Sequence, residues 1–420
     1  MPDETGRRQP VHTVYGGGHL FRADTAARLG AVARKAFVDY AGDARSLAAV
    51  LGLGAHAAAV HARITEKLAR EPVEDFRIDF EDGYGIRSDA EEDGHVAGAA
   101  REVAAGLKAG SLPGFIGVRV KPLNEELRAR SARTLRIFLE TLVRESGGLP
   151  PNFVVTLPKI TTPDHVAEFA GSLAALEREL GLAEGALRFE VMIETPQVVM
   201  GADGSSPLPR LPAVAGGRLV AAHFGTYDYT AGLGITAAHQ RMRHPACDFA
   251  KQMMQVAYAG TDIWLSDGST ALLPVPLHRA AEGAKLTAQQ DAENRASVHA
   301  AWKLHFDDVR HSLAGGFYQG WDLHPAQLVT RFAAVFSFFL EGLDAAGERL
   351  RNFVAKAAQA TLVGDVFDDA ATGQGLLNYF LRGVNSGAIT EVEAVARTGL
   401  TVEEIRGRSF VKILKARGKA

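Results

Sequence analysis

Charged side chains recur in this sequence directly after short apolar runs that have the composition of buried β-strands. A single charge at such a point is typical of a solvated loop. Several of them indicate a site if the strands are parallel neighbours, because their carboxyl ends then open on one face. A concave mouth that gathers four or more carboxylates and several cations needs a metal or an anionic ligand to neutralise it. The groups in question are Asp79, Glu81, Asp82, Arg119, Lys121, Lys159, Glu194, Asp228, Asp267 and His324.

Glu194, in the segment FEVMIET, and Asp228, in HFGTYDYTAGLG, are the best candidate pair of metal ligands. No cysteine and no pair of histidines lies near either residue in the sequence, so the ligands on offer are oxygens. Oxygen ligands favour a hard cation, and Mg²⁺ in particular binds one or two carboxylates while it keeps positions for water or substrate oxygens. We therefore predict a Mg²⁺ site at Glu194 and Asp228.

The residues around this pair suit an anionic substrate. Gly225 and Thr226 lie in the turn before Asp228, where backbone N–H groups can hold a carboxylate. Arg119 offers a fixed guanidinium to a carboxylate or to a developing enolate oxygen. Lys159, in TLPKI, is predicted to neutralise the acidic mouth, and a Schiff-base lysine is the alternative interpretation.

Three other features are interpreted as structural. The glycines at 16–18 lack the GxGxxG or Walker spacing, so a flexible turn is favoured over a phosphate cradle. The pair His324-Pro325 is typical of a helix N-terminus, and Asp267 and His244 are predicted to lie in loops.

The elements that must position these residues alternate along the chain, a short β-like run followed by a longer segment of helical spacing. The step from strand to strand is roughly 35–45 residues, which suits a (β/α)₈ TIM barrel with insertions. We predict that α/β fold, with right-handed crossovers between parallel strands. A doubly wound open sheet would produce the same alternation. The predicted strands are 11–15, 76–80, 115–120, 153–157, 187–193, 219–224, 262–265 and 316–323, and the predicted helices include 89–107, 125–145, 163–180 and 291–313.

The barrel is predicted to occupy residues 1–345. Residues 346–420 show helical spacing and no further strong strand, so they are predicted to form a C-terminal helical extension that serves as a lid or in oligomerisation. The apolar run at 332–340 suits a buried helix.

The bulk composition excludes several classes of protein. The 420 residues carry 46 Lys and Arg against 49 Asp and Glu, so a formal net charge of -3 gives no reason to expect nucleic acid or an anionic membrane as partner. No run approaches the roughly 18 apolar residues of a membrane span, and the N-terminus lacks the apolar core of a secretory signal. The one cysteine, Cys247, fits a reducing compartment. These features predict a cytoplasmic protein.

In their order along the chain, six short motifs resemble those of the citrate lyase beta-subunit-like family, which includes malyl-CoA lyases and lies in the phosphoenolpyruvate/pyruvate barrel superfamily. The resemblance runs from roughly residue 11 to residue 339. Lys121 replaces the family's usual asparagine, and Trp321 replaces its usual lysine. The motifs are RIDFEDGYG with Asp79, Glu81 and Asp82, GVRVKP with Arg119, TLPKI with Lys159, MIETP with Glu194, GTYDYTAGLG with Asp228, and GFYQGWDLHPAQL.

The resemblance implies roles for several residues. It implies Glu194 and Asp228 as metal ligands, Arg119 as the active-site arginine, and Glu81 and Asp82 beside the substrate. It also implies an acid/base aspartate in a C-terminal segment that covers the mouth, commonly that of a neighbouring subunit, and hence a homo-oligomer. In VGDVFDDAATGQGLL the candidates are Asp365, Asp368 and Asp369, with a helix-capping cluster as the alternative.

Together these features predict a Mg²⁺-dependent carbon–carbon lyase or aldolase, or the reverse condensation. The substrate would be a 2-oxo or 2-hydroxy acid, or its CoA thioester, and the reaction would pass through a metal-stabilised enolate. The opening VYGGGHLFRAD departs from the family pattern and leaves the use of CoA open. Two other functions stay open: phosphoryl transfer or thioester hydrolysis on the same barrel, and a non-catalytic metabolite-binding subunit.

Overall fold

A computed structural model of the chain describes residues 8–281, 283–356, 361–363, 366–368, 370–407 and 409–417. Within these ranges lie ten β-strands, seventeen α-helices and three short 3-10 helices. The strands are β1 (His12–Gly17), β2 (Asp75–Asp79), β3 (Phe115–Arg119), β4 (Phe153–Leu157), β5 (Arg188–Ile193), β6 (Leu219–Phe224), β7 (Trp264–Ser269), β8 (Gln319–Asp322), β9 (Thr361–Val363) and β10 (Val366–Asp368).

Strands β1 to β8 form one closed barrel in which neighbours in sequence are neighbours in the sheet. Every pair of neighbouring strands is parallel, from β1 with β2 onwards. The ring closes where β1 pairs with β8, with His12 opposite Gly320. The predicted (β/α)₈ barrel is therefore confirmed, and the alternative of a doubly wound open sheet is wrong.

The helices of the barrel follow the strands, as the alternation predicted. Helix α6 begins and ends at the predicted residues, because Pro163 occupies its first turn and Gly181, with φ of 67°, ends it. No helix in the described part of the chain is long and apolar enough to cross a membrane. The helices are α1 (Thr25–Ala41), α2 (Ala44–Leu51), α3 (Ala57–Arg70), α4 (Asp89–Ala109), α5 (Arg128–Ser146), α6 (Pro163–Leu180), α7 (Pro196–Val199), α8 (Leu211–Val214), α9 (Thr226–Gly232), α10 (Pro245–Tyr258), α11 (Ala288–Ala314), α12 (Gln327–Glu341), α13 (Leu343–Ala355), α14 (Ala370–Asn385), α15 (Glu391–Thr398), α16 (Val402–Arg406) and α17 (Phe410–Ala416).

The apolar core lies between the strands and the surrounding helices. The apolar run predicted as a buried helix is part of α12, and its Phe332, Phe336 and Phe339 are each no more than 1% exposed. Burying a phenylalanine side chain contributes roughly 1.5–3 kcal/mol, so this helix is a principal anchor of the outer layer.

Strand β7 differs from its prediction. The strand runs to Ser269, so Asp267 lies in the sheet and not in a loop. Its carboxylate accepts hydrogen bonds from Lys251 (3.0 Å) and from Ser312 (2.6 Å) on the flanking helices. The segment Ser-Asp-Gly-Ser has low β-propensity, and pairing with β6 and β8 overrides it.

The interior of the barrel is polar. Arg77 on β2 donates to Glu190 on β5 from Nε and Nη2, each at 2.8 Å, and because these strands are not neighbours the ion pair crosses the barrel. Thr156 donates to the same carboxylate at 2.6 Å, and Nε2 of His223 lies 3.1 Å from it. The indole N–H of Trp321 donates to Nδ1 of His223 at 3.2 Å. We call these side chains, Arg77, Thr156, Glu190, His223 and Trp321, the polar floor. Their polar groups contact one another, and they lie one layer below the ends of the strands.

The C-terminal extension contains two short antiparallel strands in addition to its helices. Strands β9 and β10 pair with Val363 opposite Val366, whereas the sequence predicted helical spacing and no further strong strand in this segment. Strands of three residues lie below the length at which apolar periodicity becomes visible in sequence. Because α13 continues from Leu343 directly after α12, a domain boundary at residues 345 and 346 stays a prediction.

Helix α14 of this extension packs at the amino end of the barrel. Nη1 of Arg382 donates to Oε1 of Gln9 at 2.6 Å. Gln9 precedes β1, and its amide donates to the backbone oxygen of Leu265 near the start of β7. Helix α14 therefore lies at the end opposite to the carboxyl ends of the strands in its own chain.

Candidate active site

Glu194 follows β5 at the carboxyl end of the barrel and is only 2% exposed. Its Oε1 accepts a hydrogen bond of 2.8 Å from the backbone N–H of Lys159, which follows β4. Gly225 approaches so closely that a Cβ there would lie 2.5 Å from Cβ of Glu194. Burial and then the negative charge of Asp228 raise the pKa of Glu194 to about 8. A carboxylate in this environment is stabilised as an anion only when a cation joins it.

Asp228 lies in the first turn of α9, after β6, and its side chain is 43% exposed. Burial raises its pKa, Lys159 lowers it and Asp82 raises it, and the net shift is upward. The structure therefore brings the predicted metal pair, Glu194 and Asp228, into electrostatic contact. Among the residues that the structure describes, no group of three or more His, Cys, Asp or Glu is arranged to hold a metal ion. Glu194 and Asp228 are two carboxylates, and Mg²⁺ is usually bound through one or two carboxylates of a protein.

Arg119 is the last residue of β3 and is held in one orientation. Its Nε and Nη2 donate to the two oxygens of Asp79 at 2.7 and 2.6 Å. The rings of Tyr15 and Trp321 lie 4.8 and 5.7 Å from the guanidinium carbon. The remaining Nη1 lies 3.1 Å from Oε2 of Glu81. Two of its nitrogens are thus fixed on Asp79, and Nη1 is the guanidinium nitrogen that does not bond to it.

Lys159 connects carboxylates that come from different strands. Its Nζ lies 3.0 Å from Asp82, 3.7 Å from Asp228 and in hydrogen-bond contact with Glu81. Its φ of 51° is left-handed, which is uncommon outside glycine. Burial lowers the pKa of Lys159, but the neighbouring Glu81 and Asp82 together raise it by more, so the net shift is upward. A protonated amine is not a nucleophile, which favours the neutralising role over the Schiff-base role.

The formal charges of the side chains around Glu194 do not balance. Five carboxylates share two cations, which is a formal excess of three negative charges within this set. We call this set the mouth cluster: Asp79, Glu81, Asp82, Arg119, Lys159, Glu194 and Asp228.

The contacts of Gly225 and Thr226 differ from those that we predicted from the sequence. The N–H of Gly225 donates to the backbone oxygen of Ile193 at 3.0 Å, so this amide is already used and the residue serves by its small size. The hydroxyl of Thr226 is buried and has no hydrogen-bond partner among the described residues.

Of the three candidate acid/base aspartates, Asp365 and Asp369 lie outside the described residues. Asp368 ends β10, and its side chain also lies outside what the structure describes. Their roles stay predictions.

The glycines at 16–18 are explained by close packing. A Cβ on Gly16 would lie 2.7 Å from the ring of Phe76, and one on Gly17 would lie 2.6 Å from the backbone oxygen of Gly83. His324 lies before α12, and its Nδ1 accepts a hydrogen bond of 3.1 Å from the N–H of Ala326. Both observations support the structural interpretation of these motifs.

One set of residues near the site was not singled out from the sequence, namely the polar floor around Glu190. Asp79 was named there as a charge at a strand end, but its part in orienting Arg119 was not predicted. A signal was available, because Asp75, Arg77 and Asp79 alternate along β2 and a charge at every second position marks one polar face of a strand. That signal does not show that the polar face points into the barrel.

Comparison with known proteins gives a fold and a family. The fold is similar to that of a citrate lyase from Burkholderia xenovorans LB400, at 18% identity and a TM-score of 0.59 over 94% of this chain and 97% of that one. It is also similar to Haloferax volcanii malate synthase in a magnesium/glyoxylate complex, at 14% identity and a TM-score of 0.50 over 96% of this chain and 98% of that one. At these identities the likeness shows the fold alone, a closed (β/α)₈ barrel.

A search of curated protein sequences finds no match. Residues 1–413 match the family model described as "Domain of unknown function (DUF6986)", which spans nearly the whole chain. The chain therefore belongs to the DUF6986 family and has a (β/α)₈ barrel of the citrate lyase and malate synthase type.

Proposed function

We propose that this protein is a Mg²⁺-dependent carbon–carbon lyase or condensing enzyme that acts on a 2-oxo or 2-hydroxy acid. The observation that carries the proposal is the buried Glu194 with Asp228 beside the oriented guanidinium of Arg119, in a mouth with excess negative charge. The malate synthase of similar fold is a magnesium/glyoxylate complex, and glyoxylate is a 2-oxo acid, which agrees with the proposal.

The residues present fit a magnesium ion. Glu194 and Asp228 supply two oxygen ligands and no nitrogen or sulphur. Burial and the charge of Asp228 raise the pKa of Glu194, and a bound cation would oppose both effects. Bound between them, Mg²⁺ would supply Lewis-acid stabilisation of the oxyanion that develops as the carbon–carbon bond breaks or forms.

The chain's own residues bind and orient the substrate. Nη1 of Arg119 donates to the carboxylate or the enolate oxygen, and Asp79 prevents the guanidinium from rotating away. The rings of Tyr15 and Trp321 shield the guanidinium from water on one side. Lys159 holds Glu81 and Asp82 and lowers the repulsion that an anionic substrate meets in this mouth.

We propose that the group that transfers the proton lies in the C-terminal segment. Asp365, Asp368 and Asp369 are the candidates for this acid/base group. Helix α14, which follows them, packs at the amino end of its own barrel, so we propose that the segment serves the mouth of a neighbouring subunit in a homo-oligomer. The division into a barrel of residues 1–345 and an extension of residues 346–420 is part of this proposal.

The test is calorimetric titration of oxalate and of pyruvate, with Mg²⁺ and with EDTA. Oxalate mimics a chelated enolate, so we expect it to bind only with Mg²⁺ present. Asp228→Asn is expected to abolish that binding because it removes a ligand charge with little change in shape. The matched control is Glu125→Gln, which removes a negative charge from an exposed residue on the same face and should bind as the wild type does.

Two results would contradict the proposal. Oxalate that binds equally in EDTA would mean that no metal is involved. Absence of binding in either condition would leave a non-catalytic role for the barrel as the better explanation. Binding that needs both Mg²⁺ and Asp228 justifies a screen of aldehydes, 2-oxo acids and CoA thioesters for cleavage or condensation.

A further inference from the structure

Trp321 is a member of the polar floor that also reaches the mouth cluster. Its indole N–H donates to Nδ1 of His223 at 3.2 Å, and its ring lies 5.7 Å from the guanidinium carbon of Arg119. On the neighbouring strand β1, the ring of Tyr15 packs against that of Trp321, with centroids 4.3 Å apart and an angle of 30° between the planes. The Tyr15 ring lies 4.8 Å from the same guanidinium carbon. Two aromatic rings thus connect the interior of the barrel to Arg119.

His223 fixes the direction of the Trp321 ring. The His223 side chain is buried, and its Nε2 lies 3.1 Å from Oε2 of Glu190. That carboxylate is itself held by hydrogen bonds from Arg77 and Thr156. An indole N–H can only donate, so the ring of Trp321 must turn its N–H towards the acceptor that His223 presents. The orientation of Trp321 is therefore determined by side chains in the interior of the barrel.

The position of the Tyr15 ring depends on Trp321 in turn. The Tyr15 hydroxyl is buried and has no hydrogen-bond partner in the part of the chain that the structure describes. The ring is therefore held by packing, and the Trp321 ring lies in contact with it. Burial and the charge of Glu190 raise the pKa of Tyr15, while Arg119 acts in the opposite direction. Both effects agree with a place for Tyr15 between the polar floor and the mouth cluster.

Arg119 is restrained in two directions by two different contacts. Asp79 accepts from Nε and Nη2 and so holds one edge of the guanidinium. A tilt about the line through these two nitrogens would keep both hydrogen bonds and would displace Nη1, the nitrogen outside that line. The rings of Tyr15 and Trp321 lie close enough to the guanidinium to attract its face, and they oppose that tilt.

We propose that Trp321 and His223 are positioning residues for Arg119. His223 orients Trp321, and Trp321 together with Tyr15 keeps Nη1 of Arg119 where it donates to an anionic ligand in the mouth. The inference rests on the proposed function for the nature of that ligand. It gives the polar floor a part in ligand affinity, although the floor lies one layer below the strand ends.

The first test is calorimetry of oxalate with Mg²⁺ present. Trp321→Leu removes both the ring and the N–H, so the Kd of oxalate should rise about fivefold. Trp321→Phe keeps a ring but loses the hydrogen bond to His223, and the Kd should rise about threefold. The matched control is Trp302→Phe, because the indole of Trp302 is also buried and donates at 2.9 Å, to the backbone oxygen of Ala326 beside α12. This control should leave the Kd unchanged.

A second readout distinguishes positioning from a general loss of structure. Mg²⁺ should stabilise the Trp321 variants against thermal unfolding as much as the wild type, because Glu194 and Asp228 are intact in them. Affinity for oxalate should thus fall while the response to the metal stays the same.

A double-mutant cycle tests the link through His223. His223→Phe replaces the imidazole by a ring that cannot accept a hydrogen bond, so it should weaken oxalate binding about as much as Trp321→Phe does. The double variant should be no weaker than either single variant, because both remove the same hydrogen bond. Losses that add in full would mean that the two residues act independently.

The results separate this inference from the proposed function. If the wild type binds oxalate and Trp321→Leu leaves the Kd unchanged, or if the losses in the cycle add in full, the inference is wrong and the proposed function stands. If the wild type does not bind oxalate, the proposed function fails, and the restraint on Arg119 is then measured without a ligand.

That measurement is the exchange of the Arg119 guanidinium hydrogens with solvent, by NMR of protein labelled with ¹⁵N-arginine. Arg119→Lys identifies the resonance by its absence. Faster exchange in Trp321→Leu and in His223→Phe, but not in Trp302→Phe, would support the positioning role. Exchange at the wild-type rate in Trp321→Leu would overturn it.

Discussion

The two ends of the barrel each carry a cluster of charged side chains, and the clusters differ in how their charges balance. The amino-end cluster consists of Arg8, Lys67, Glu71 and Glu74, two cations and two carboxylates. Arg8 lies 2.8 Å from Glu71 and 2.6 Å from Glu74, and Lys67 lies 2.6 Å from each. The mouth cluster has five carboxylates for two cations.

The difference appears in the pKa values of two glutamates. Burial raises the pKa of Glu71, but Arg8 and Lys67 together lower it by more, so that its pKa is about 2. For Glu194, burial and Asp228 act in the same direction, and its pKa rises to about 8. A cluster whose charges are matched within the fold serves stability, whereas an unmatched one marks the place for a ligand.

The largest expected effect is on stability at the amino end. Glu74→Ala should lower the free energy of unfolding by about 3–5 kcal/mol, because it leaves two cations without this buried partner. Urea unfolding measures the change. Glu66→Ala, on the exposed side of α3, is the control and should change stability by less than about 0.5 kcal/mol. If Glu74→Ala lowered the free energy of unfolding as little as Glu66→Ala is expected to, the two ends of the barrel would not differ in the way described.

The amino end should also be sensitive to acid. Burial lowers the pKa of His12 to about 4, although Asp322 and Glu74 act in the opposite direction. Its Nε2 accepts a hydrogen bond from the backbone N–H of Glu74. The unfolded chain takes up this proton near pH 6.5 and the folded chain near pH 4, so stability should fall as pH decreases between those values. The loss at this one group amounts to about 3 kcal/mol. Urea unfolding at pH 7 and pH 4.5 measures it, and an unchanged pH dependence in His12→Gln would refute the assignment.

The mouth should respond to metal instead. At a hundred times its Kd, Mg²⁺ is expected to raise the free energy of unfolding by about 2.7 kcal/mol, because it binds the folded chain alone. Asp228→Asn should lose this gain and Glu74→Ala should keep it, which thermal unfolding with Mg²⁺ and with EDTA will show. A gain that survives Asp228→Asn would place the ion elsewhere.

The smallest effect should come from Arg119→Lys. Lysine cannot make the paired hydrogen bonds to Asp79 and also reach the mouth, so the Kd of oxalate with Mg²⁺ should rise about tenfold, or about 1.4 kcal/mol. Calorimetry measures it, with Arg22→Lys as the control. An unchanged Kd would show that the guanidinium does not contact the ligand.

Much of the fold was predictable from the sequence. Strands β4 and β6 begin and end at the predicted residues, because apolar, β-branched runs between turn residues leave little ambiguity. The error at Asp267 has the opposite cause, since a polar, glycine-containing run becomes a strand only through its neighbours. The alternation itself could not distinguish a closed barrel from an open sheet, because closure depends on the pairing of β1 with β8, some 300 residues apart.

By itself, the sequence determined the order of the strands and the charged residues that follow them, because both depend on local composition. Glu194, Arg119 and Asp228 could be chosen on that basis alone. The partners of those charges were decided by the tertiary structure. That Asp79 holds Arg119 and that Glu74 at the other end lies 2.6 Å from both Arg8 and Lys67 depend on contacts between distant segments. Electrostatic balance is a property of side chains within a few ångströms of one another, and local residue patterns do not specify those distances.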